Sequence, residues 1–261
     1  MKKHTDFWKS ITSDHEVLRL VHGVKIDFTM LPDELVELPP YYFRESKARL
    51  IDAEIEKMLK KGVIQETVFE EGQVVSNIFT RDKKDGSLRV ILDLSNLNMH
   101  IKYQHFKMDT LESALNLVTE GCNMASIDWK DAYYSVSIDK VYRKYLKFSW
   151  RDKVYSFKVL PNGLACAPRL FTELTKVLLS VLRENGHLIV AYIDDSFLVG
   201  HDLQSCRSTV QATTDISVKA GFIVHQEKSV MEPAQRIVFV GFVIDSVDMT
   251  VSLTPERKEK I

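Results

Sequence analysis

The sequence has little of what secreted and membrane proteins need. Its 261 residues contain three cysteines, Cys122, Cys166 and Cys206, an odd number without CxxC spacing. Such cysteines argue against a disulfide framework or a zinc site and favour reduced intracellular thiols. No apolar run approaches the roughly 18 residues of a membrane helix, and the start, MKKHTDFWKS, lacks the apolar core of a signal peptide. We therefore expect an intracellular protein, cytoplasmic or nuclear, that is neither secreted nor bound to a membrane.

Low-complexity sequence is also scarce. Ten glycines and seven prolines leave no room for a long disordered tract, and no linker rich in Pro, Gly or Ser divides the chain. Apolar residues at 45% and charged residues at 27% are typical of a globular protein with enough material for a core. At this length we expect one large domain or two closely packed lobes.

The small net charge of −1 conceals one basic stretch. A locally basic stripe in a nearly neutral protein suits a surface that contacts phosphates. For such a run alone, a solvated charged surface is the more common explanation. The stretch has one internal acid, Asp152, and seven basic residues, which are Lys140, Arg143, Lys144, Lys147, Arg151, Lys153 and Lys158.

Local patterns in the first half predict one helix and one hairpin. Apolar residues on a single stripe predict a helix from about Ser46 to Lys61, with Gly62 after its last turn. The runs SNIFTR and LRVILDL, joined by DKKDGS, predict a β-hairpin with Lys83 and Lys84 at its tip. The first thirty residues are weakly patterned and predict an extension, and the paired prolines of LPPYYF exclude regular helix there.

The second half alternates between strand and helix patterns. Their order is strand, helix, strand, strand, helix, strand, which matches a split βαβ plan with helices on one face of an antiparallel sheet. The segments are CNMASID (strand ending in Asp128), DAYYSVSI (helix or turn), VYSFKVL (strand), APRLFTELTKVLLSVLRENG (the longest helix), HLIVAYIDDSFLVG (strand, turn, strand), STVQATTDISVKAG (helix ending at Gly221) and RIVFVGFVID (final hairpin or strand).

Three carboxylates follow buried strands in this pattern. Asp128 ends one strand, and Asp194 and Asp195 form the turn after another. Ionised carboxylates beside apolar strands are costly unless a cation balances them, and Mg²⁺ prefers such oxygen ligands. Adjacent strands would bring all three together, enough to hold two metal ions. For the Asp-Asp pair alone, a plain polar turn is the more common explanation.

Consecutive motifs resemble those of reverse transcriptases. IDWKDAYYSV, LPNGLACAPRLFTEL, AYIDDSFLVG, AGFIVHQEKS and IVFVGFVID follow in the family's order, and RDKKDGSLRVILDLSNLN resembles its fingers segment. The resemblance covers roughly residues 31–261. HFKMDTLESAL, DWKDAYYSV and APRLFTEL look closest to retrotransposons of the DIRS type, with gypsy-like and retroviral enzymes next.

The resemblance implies an α+β right-hand polymerase fold, with fingers interleaved with a split βαβ (ferredoxin-like) palm and a thumb essentially absent. The implied divisions are an N-terminal extension (1–30), fingers (31–102), palm (103–135), fingers again (136–166), palm with a primer-positioning hairpin (167–250) and the start of a truncated thumb (251–261). The implied partners are an RNA or DNA template with primer and deoxynucleoside triphosphates.

The resemblance implies catalytic roles for the residues at matching positions of this sequence. Asp128 and Asp194 would be ligands of two Mg²⁺ ions, which Mn²⁺ can replace, with the carbonyl of Trp129 helping and Asp195 supporting the second carboxylate site. Lys228 matches a lysine proposed to protonate the leaving pyrophosphate, although a surface lysine explains it equally well.

Further roles concern the nucleotide and the primer. Tyr133 would exclude a 2′-hydroxyl, although its spacing alone fits a core tyrosine. Asn162 departs from the Gln or Phe of relatives, which leaves nucleotide selectivity and fidelity open. The triphosphate would contact Lys83 or Lys84, Arg89 and the amides of Asp131 and Ala132; the nucleotide would contact Tyr133, Asn162 and Gly163; the primer would contact Phe239, Val240, Gly241 and Phe242, which also fit a plain buried strand.

Two other classes of function fit parts of the pattern. A domesticated or inactive element protein could bind nucleic acid without catalysis, but it would not need all three aspartates. A nucleotide cyclase can share the palm, but it would have no use for the fingers hairpin, LPNGL or FVGF. The expected function is therefore RNA-directed DNA polymerisation.

Overall fold

The computed structural model describes residues 1–32, 41–83 and 86–259. Predictions for the paired prolines, Pro39 and Pro40, and for the hairpin residues Lys84 and Asp85 lie outside the described residues.

The described chain alternates helices and strands, as an α+β protein does. Its helices are α1 (Thr5–Ile11), α2 (His15–His22), α3 (Glu45–Lys60), α4 (Ser95–Asn98), α5 (Leu111–Leu115), α6 (Ala167–Glu184), α7 (Leu203–Ala220) and α8 (Pro255–Lys258), with 3₁₀ turns at Lys2–His4, Ala132–Ser135 and Lys140–Tyr145. Its strands are β1 (Ile64–Thr67), β2 (Ile78–Asp82), β3 (Leu88–Leu92), β4 (Asn123–Asp128), β5 (Lys147–Trp150), β6 (Lys153–Phe157), β7 (Leu188–Tyr192), β8 (Asp195–Gly200), β9 (Val230–Ala234), β10 (Arg236–Phe239), β11 (Phe242–Asp245) and β12 (Thr250–Leu253).

The central sheet has four strands in the order β7-β8-β4-β9, and every pairing is antiparallel. With α6 after β4 and α7 after β8, this is the predicted split βαβ arrangement. One detail of the prediction is wrong: the fourth strand is β9, whereas the RIVFVGFVID segment forms β10 and β11 in a separate sheet. β9 carries Pro233, which lowers its strand propensity and hides it from pattern analysis.

The two palm helices have clear physical ends. α6 begins with Pro168 in its first turn, and α7 begins in a capping box in which Asp202 and Ser205 satisfy each other's backbone N–H groups. α7 ends at Gly221, whose φ of +91° suits glycine. α7 therefore starts before the predicted STVQ segment, and at 18 residues it equals α6, so α6 is not uniquely the longest helix.

The chain between α2 and α6 also contains α3, the β2–β3 hairpin and the sheet β1-β6-β5. The predicted helix and hairpin are both confirmed. The short strands β1 and β5 are not anticipated by the sequence because their charged and polar residues give no period-two pattern.

The C-terminal strands form the sheet β10-β11-β12. β12 spans residues 250–253, so the palm–thumb boundary expected between 250 and 251 falls within a strand of this sheet. The hairpin turn at Val240 and Gly241 has positive φ at both residues, as a two-residue turn requires.

The expected N-terminal extension is an integral layer of the core, although its pattern looked weak. α1 and α2 pack on the palm helices α6 and α7. Trp8 is fully buried and its indole N–H donates to the carbonyl of Ala220 at 3.0 Å. Truncating a buried indole typically costs about 3–5 kcal/mol, so this layer contributes substantially to the stability of the palm.

Candidate active site

The predicted carboxylates meet where β4 and β8 pair. The register sets Asp128 opposite Asp195, and Asp194 precedes it in the turn that links β7 to β8. The backbone is held as well, because the N–H of Trp129 donates to the carbonyl of Asp194 at 2.9 Å. The end of β4 and the β7–β8 turn, which lie far apart in sequence, are therefore held side by side by backbone hydrogen bonds.

Asp128 and Asp194 open onto a cavity of about 920 Å³. Asp195 is not among the residues that line it. The expectation that Asp195 supports the second carboxylate site stays a prediction, because its carboxyl lies close enough to Asp194 and Asp128 for their charges to raise its pKa. Other predicted residues that line the cavity are Lys83, Arg89, Trp129, Asp131, Ala132, Tyr133, Asn162 and Lys228.

The carboxylates repel one another. Burial, followed by the charge of Asp128, raises the pKa of Asp194, although Lys228 and Arg89 oppose this. Burial and the charges of Asp194 and Asp128 raise the pKa of Asp195 to about 6. Negative charge is thus concentrated at this point, which is the condition that a divalent cation relieves.

The donor set fits Mg²⁺ that shares its ligands with a substrate. Within the described residues, no group of three His, Cys, Asp or Glu side chains is arranged to hold a metal unaided. Mg²⁺ commonly takes one or two carboxylates and completes its shell with substrate phosphates and water. Asp128 and Asp194 meet that requirement.

The segment after α7, residues 225–229 (the strap), supports Asp128, a role that the motif AGFIVHQEKS did not predict. The backbone N–H of Asp128 donates to Ser229 Oγ at 3.0 Å, and the N–H of His225 donates to the carbonyl of Asp128 at 2.8 Å. Ser229 Oγ donates in turn to the carbonyl of His225 at 2.8 Å. Lys228 lies in this strap and lines the cavity, so its ammonium is presented beside the carboxylates.

The β2–β3 hairpin also contributes to the cavity. Lys83 and Arg89 both line the cavity, and the charge of Arg89 lowers the pKa of Asp131 and of Asp194. Arg89 forms no ion pair within the described chain, so its planar guanidinium remains available to an anion. The alternative cation, Lys84, lies outside the described residues.

Asp131 is held by Lys61, a residue that sequence reasoning missed. Lys61 Nζ lies 2.6 Å from Asp131 Oδ2, joining the end of α3 to the turn after β4. Asp131 adopts the left-handed conformation, with φ 50° and ψ 41°, just before Ala132 starts the next 3₁₀ turn. Burial raises the pKa of Asp131, but the hydrogen bond and charge of Lys61, with Lys130 and Arg89, outweigh it and lower the pKa overall.

Tyr133 stands at the cavity wall, braced by the palm. Its ring meets that of Phe171 edge-on at 5.3 Å between centroids. Burial, followed by the charges of Asp194 and Tyr192, raises the pKa of Tyr133 to about 12, so the phenol stays neutral. A rigid, uncharged ring in this position can exclude a ligand group by steric contact alone.

The Asn162-Gly163 loop is pinned by Asn98. Asn98 donates from Nδ2 to the carbonyl of Gly163 at 2.9 Å and accepts at Oδ1 from the N–H of Ala165 at 2.8 Å. Asn162 lines the cavity and hydrogen-bonds Tyr134, whereas Gly163, with φ +92°, does not line it. Asn98 is a second residue that the sequence did not single out, because its role depends on a distant loop.

The predicted primer-binding segment lies apart from this cavity. None of Phe239, Val240, Gly241 and Phe242 lines it. Phe239 is buried against Phe197, with 5.0 Å between ring centroids, and the guanidinium of Arg257 lies 5.0 Å from the centre of the Phe242 ring. Phe239 therefore serves the core, and the Val240-Gly241 turn is the part that can approach a ligand.

Comparison with known proteins identifies the family. The profile of the reverse transcriptase (RNA-dependent DNA polymerase) family matches residues 80–244, more than half of the chain. The chain therefore belongs to this family.

Similar proteins include polyproteins of a transposon and a virus. The chain is 25% identical over 247 residues to the transposon Tf2-3 polyprotein of Schizosaccharomyces pombe, a match that covers 93% of this chain and 18% of that protein. It is 24% identical over 212 residues to a putative enzymatic polyprotein of Cassava vein mosaic virus, covering 79% of this chain and 32% of that protein. The chain thus spans about a third or less of these relatives.

Solved structures share the fold. The foamy viral protease-reverse transcriptase in complex with dsDNA superposes with a TM-score of 0.75 at 22% identity, covering 98% of this chain and 57% of that chain. The same protein in complex with an RNA/DNA hybrid gives a TM-score of 0.73 at 19% identity, covering 99% and 37%. The predicted right-hand polymerase fold is therefore confirmed. Among the described residues, none of the helices combines the length and apolar character that a membrane crossing requires.

Charge removal at Lys61 is expected to raise the pKa of Asp131. In Lys61→Met, burial is opposed only by the charges of Lys130 and Arg89. Because the folded pKa is lowered in the wild type, the pair stabilises the protein above the unfolded pKa of the carboxyl, and this contribution is lost as pH falls. A ¹³C NMR titration measures the pKa; the control is Lys60→Met, which breaks only an exposed pair with Glu56. An unchanged Asp131 pKa would contradict the assignment.

Asp195 is expected to titrate near pH 6 in the metal-free protein. A raised folded pKa means that the native state binds the proton more tightly, so stability falls as pH rises from the unfolded pKa through about 6. Asp194→Asn should lower the Asp195 pKa because it removes a neighbouring negative charge, and Mg²⁺ should lower it in the wild type. Carboxyl ¹³C shifts report both, with the exposed Asp215→Asn as control. No response to Asp194→Asn would show that the groups are not coupled.

Proposed function

We propose that this chain is the catalytic core of an RNA-directed DNA polymerase that adds deoxynucleotides to a primer 3′-hydroxyl and releases pyrophosphate. The observation that carries the proposal is that Asp128 and Asp194 line the same cavity as Lys83 and Arg89. Carboxylates for metal ions and cations for phosphates are the two requirements of phosphoryl transfer.

The charge of the cavity supports a metal-bound triphosphate. Its lining includes six Lys or Arg side chains against five Asp or Glu side chains, so the two signs nearly balance. A nucleoside triphosphate brings about four more negative charges, which the lining alone would not neutralise. Two Mg²⁺ ions, or Mn²⁺ in their place, would supply that charge and the Lewis-acid chemistry of a two-metal site. Asp128, Asp194 and the carbonyl of Trp129 would hold them. The negative charge of Asp195 would add to the electrostatic attraction for the metal ions.

The protein's own groups would grip and orient the nucleotide. Arg89 offers a planar fork and Lys83 a mobile charge to the phosphates, and the amides of Asp131 and Ala132 add neutral donors. Lys61 contributes indirectly, because its ion pair fixes Asp131 and offsets a carboxylate that would otherwise repel the triphosphate. Lys228, beside the carboxylates, can deliver a proton to the leaving pyrophosphate.

Template and primer are the macromolecular partners that we infer. The foamy viral enzyme of the same fold was solved with dsDNA and with an RNA/DNA hybrid. Because a polymerase must copy any sequence, contacts to backbone and to the wide minor groove of A-form hybrids are expected to dominate. The turn at Val240 and Gly241 is the candidate contact for the primer end.

Finer assignments are part of the same proposal. The motifs support a retrotransposon of the DIRS type, and three buried, unpaired cysteines suit a reducing intracellular compartment. The division into fingers and palm segments is part of this proposal, with β12 assigned to the sheet of the β10–β11 hairpin, to which it pairs.

Asp128→Asn and Asp194→Asn are each expected to reduce primer extension on an RNA template by about 100-fold or more, because each removes a preorganised charged ligand. Extension rates with Mg²⁺ measure the loss, and circular dichroism checks folding. Asp215→Asn, an exposed change on α7, should retain full activity. Substantial extension by folded Asp194→Asn protein would refute the metal assignment. A wild type that binds template-primer but never extends it would favour the inactive binding protein instead.

Tyr133→Ala is expected to admit ribonucleotides, because the ring that obstructs a 2′-hydroxyl is gone. Steric pockets discriminate by about 10–200-fold per small group, so the ratio of ribo- to deoxynucleotide incorporation should rise by about tenfold or more. Tyr133→Phe, which keeps the ring and loses only the hydroxyl, should leave the ratio near that of the wild type. An unchanged ratio in active Tyr133→Ala protein would mean that Tyr133 only packs against Phe171.

A further inference from the structure

A second cavity, of about 310 Å³, lies in the fingers and shares no lining residue with the first. Its floor is the sheet β1-β6-β5, where Gln65 and Lys147 both pair in register with Ser156. Its wall is the 3₁₀ turn Lys140–Tyr145. The full lining is Gln65, Thr67, Glu70, Lys140, Arg143, Lys144, Lys147 and Ser156.

One cation of this cavity is already neutralised. Lys147 is 1% exposed, and its ammonium contacts Glu70 Oε1 at 2.7 Å, the carbonyl of Val68 at 2.8 Å and Gln73 Oε1 at 2.9 Å. All three of its protons therefore have acceptors. The pair also cancels the charge of Glu70, the single carboxylate in the lining, so it fixes the floor without repelling an anion.

The remaining cations are left with unused donors. Arg143 Nε donates to the carbonyl of Ile138 at 3.1 Å, which orients the guanidinium while its terminal nitrogens have no partner among the described residues. Lys144 makes a long contact of 3.4 Å to the carbonyl of Glu71, and Lys140 has no ion pair within the described chain. The nearby Asp139 offsets part of this charge, and it already accepts from the N–H of Val141 at 3.1 Å.

Ser156 supplies a neutral donor beside these cations. The residue is 1% exposed and lines the cavity. Its hydroxyl is not among the fully buried polar atoms that lack a partner, so it is open to the cavity. A ligand oxygen between the hydroxyl and the guanidinium of Arg143 would satisfy both.

We propose that this cavity is a phosphate-binding site in which Arg143, Lys140, Lys144 and Ser156 donate to the phosphate oxygens. Arg provides the fork geometry that matches such an oxyanion, and the cluster of charges favours phosphate over a singly charged carboxylate. The volume is at the lower end of ligand pockets, enough for a phosphate with an attached sugar. The proposal does not depend on the catalytic function, because the two cavities are separate.

The test is an NMR titration of the whole chain with two probes. Inorganic phosphate represents the free ligand, and a short single-stranded DNA without terminal phosphate represents the phosphodiesters of a strand. Signals of the Arg143 side-chain N–H and the Ser156 amide report the second cavity alone. We expect saturable shifts with at least one probe. Shifts with the oligonucleotide identify a strand contact, and shifts with phosphate only identify a small-molecule site.

Three variants test whether binding depends on the residues of the second cavity. Arg143→Gln should weaken binding by about tenfold or more, as expected for loss of a charged hydrogen-bond donor. Ser156→Ala, which removes one oxygen, should also weaken binding while leaving the fold intact. Lys153→Gln, which breaks only an exposed pair with Glu66, should bind as the wild type does. Absence of local shifts with both probes, or unchanged affinity in Ser156→Ala, would overturn the proposal.

Discussion

The antiparallel pairing of β4 with β8 is the constraint on which the site depends. This register sets Asp128 opposite Asp195 and next to the turn that carries Asp194, and the carboxylates of Asp128 and Asp194 line the cavity. The arrangement is costly in the empty protein, as the raised pKa values of Asp194 and Asp195 indicate. The strands can hold it because hydrophobic burial and the β4–β8 ladder stabilise the sheet independently of the repulsion. Because bound cations would relieve this repulsion, it favours cation binding.

Segments from across the chain converge to frame those carboxylates. Lys61 comes from α3, Arg89 from the fingers hairpin and Lys228 from the strap after α7. Lys61 is held by its ion pair to Asp131, and Arg89 by the register of β2 and β3. Lys228 is positioned by backbone hydrogen bonds between the strap and the end of β4. The N-terminal helices add a further layer, since the indole of Trp8 caps the last turn of α7 just before the strap begins. The N-terminal layer and the strap that holds Asp128 are therefore linked through α7.

The catalytic framework was largely predictable because it is local in sequence. Strand patterns that end in Asp128 and Asp194, and the helix that ends at Gly221, follow from periodicity and from glycine's tolerance of positive φ. Features that depend on distant partners were not predictable. Lys61 looked like an ordinary helix-end cation, Asn98 like a loop residue, and β9 was hidden by its proline. The pairing of Asp195 with Asp128 likewise became visible only in the register of β4 and β8.

The central claim is that Asp128 and Asp194 together hold two metal ions. The most direct measurement is a crystal structure of the chain with template-primer, a non-hydrolysable deoxynucleotide and Mn²⁺, with the ions located by anomalous scattering. The account predicts two Mn²⁺ ions in the large cavity, bonded to the carboxylates of Asp128 and Asp194 and to triphosphate oxygens, with Asp195 outside the coordination shells. Nucleotide bound without metal, or metal held by neither Asp128 nor Asp194, would contradict it.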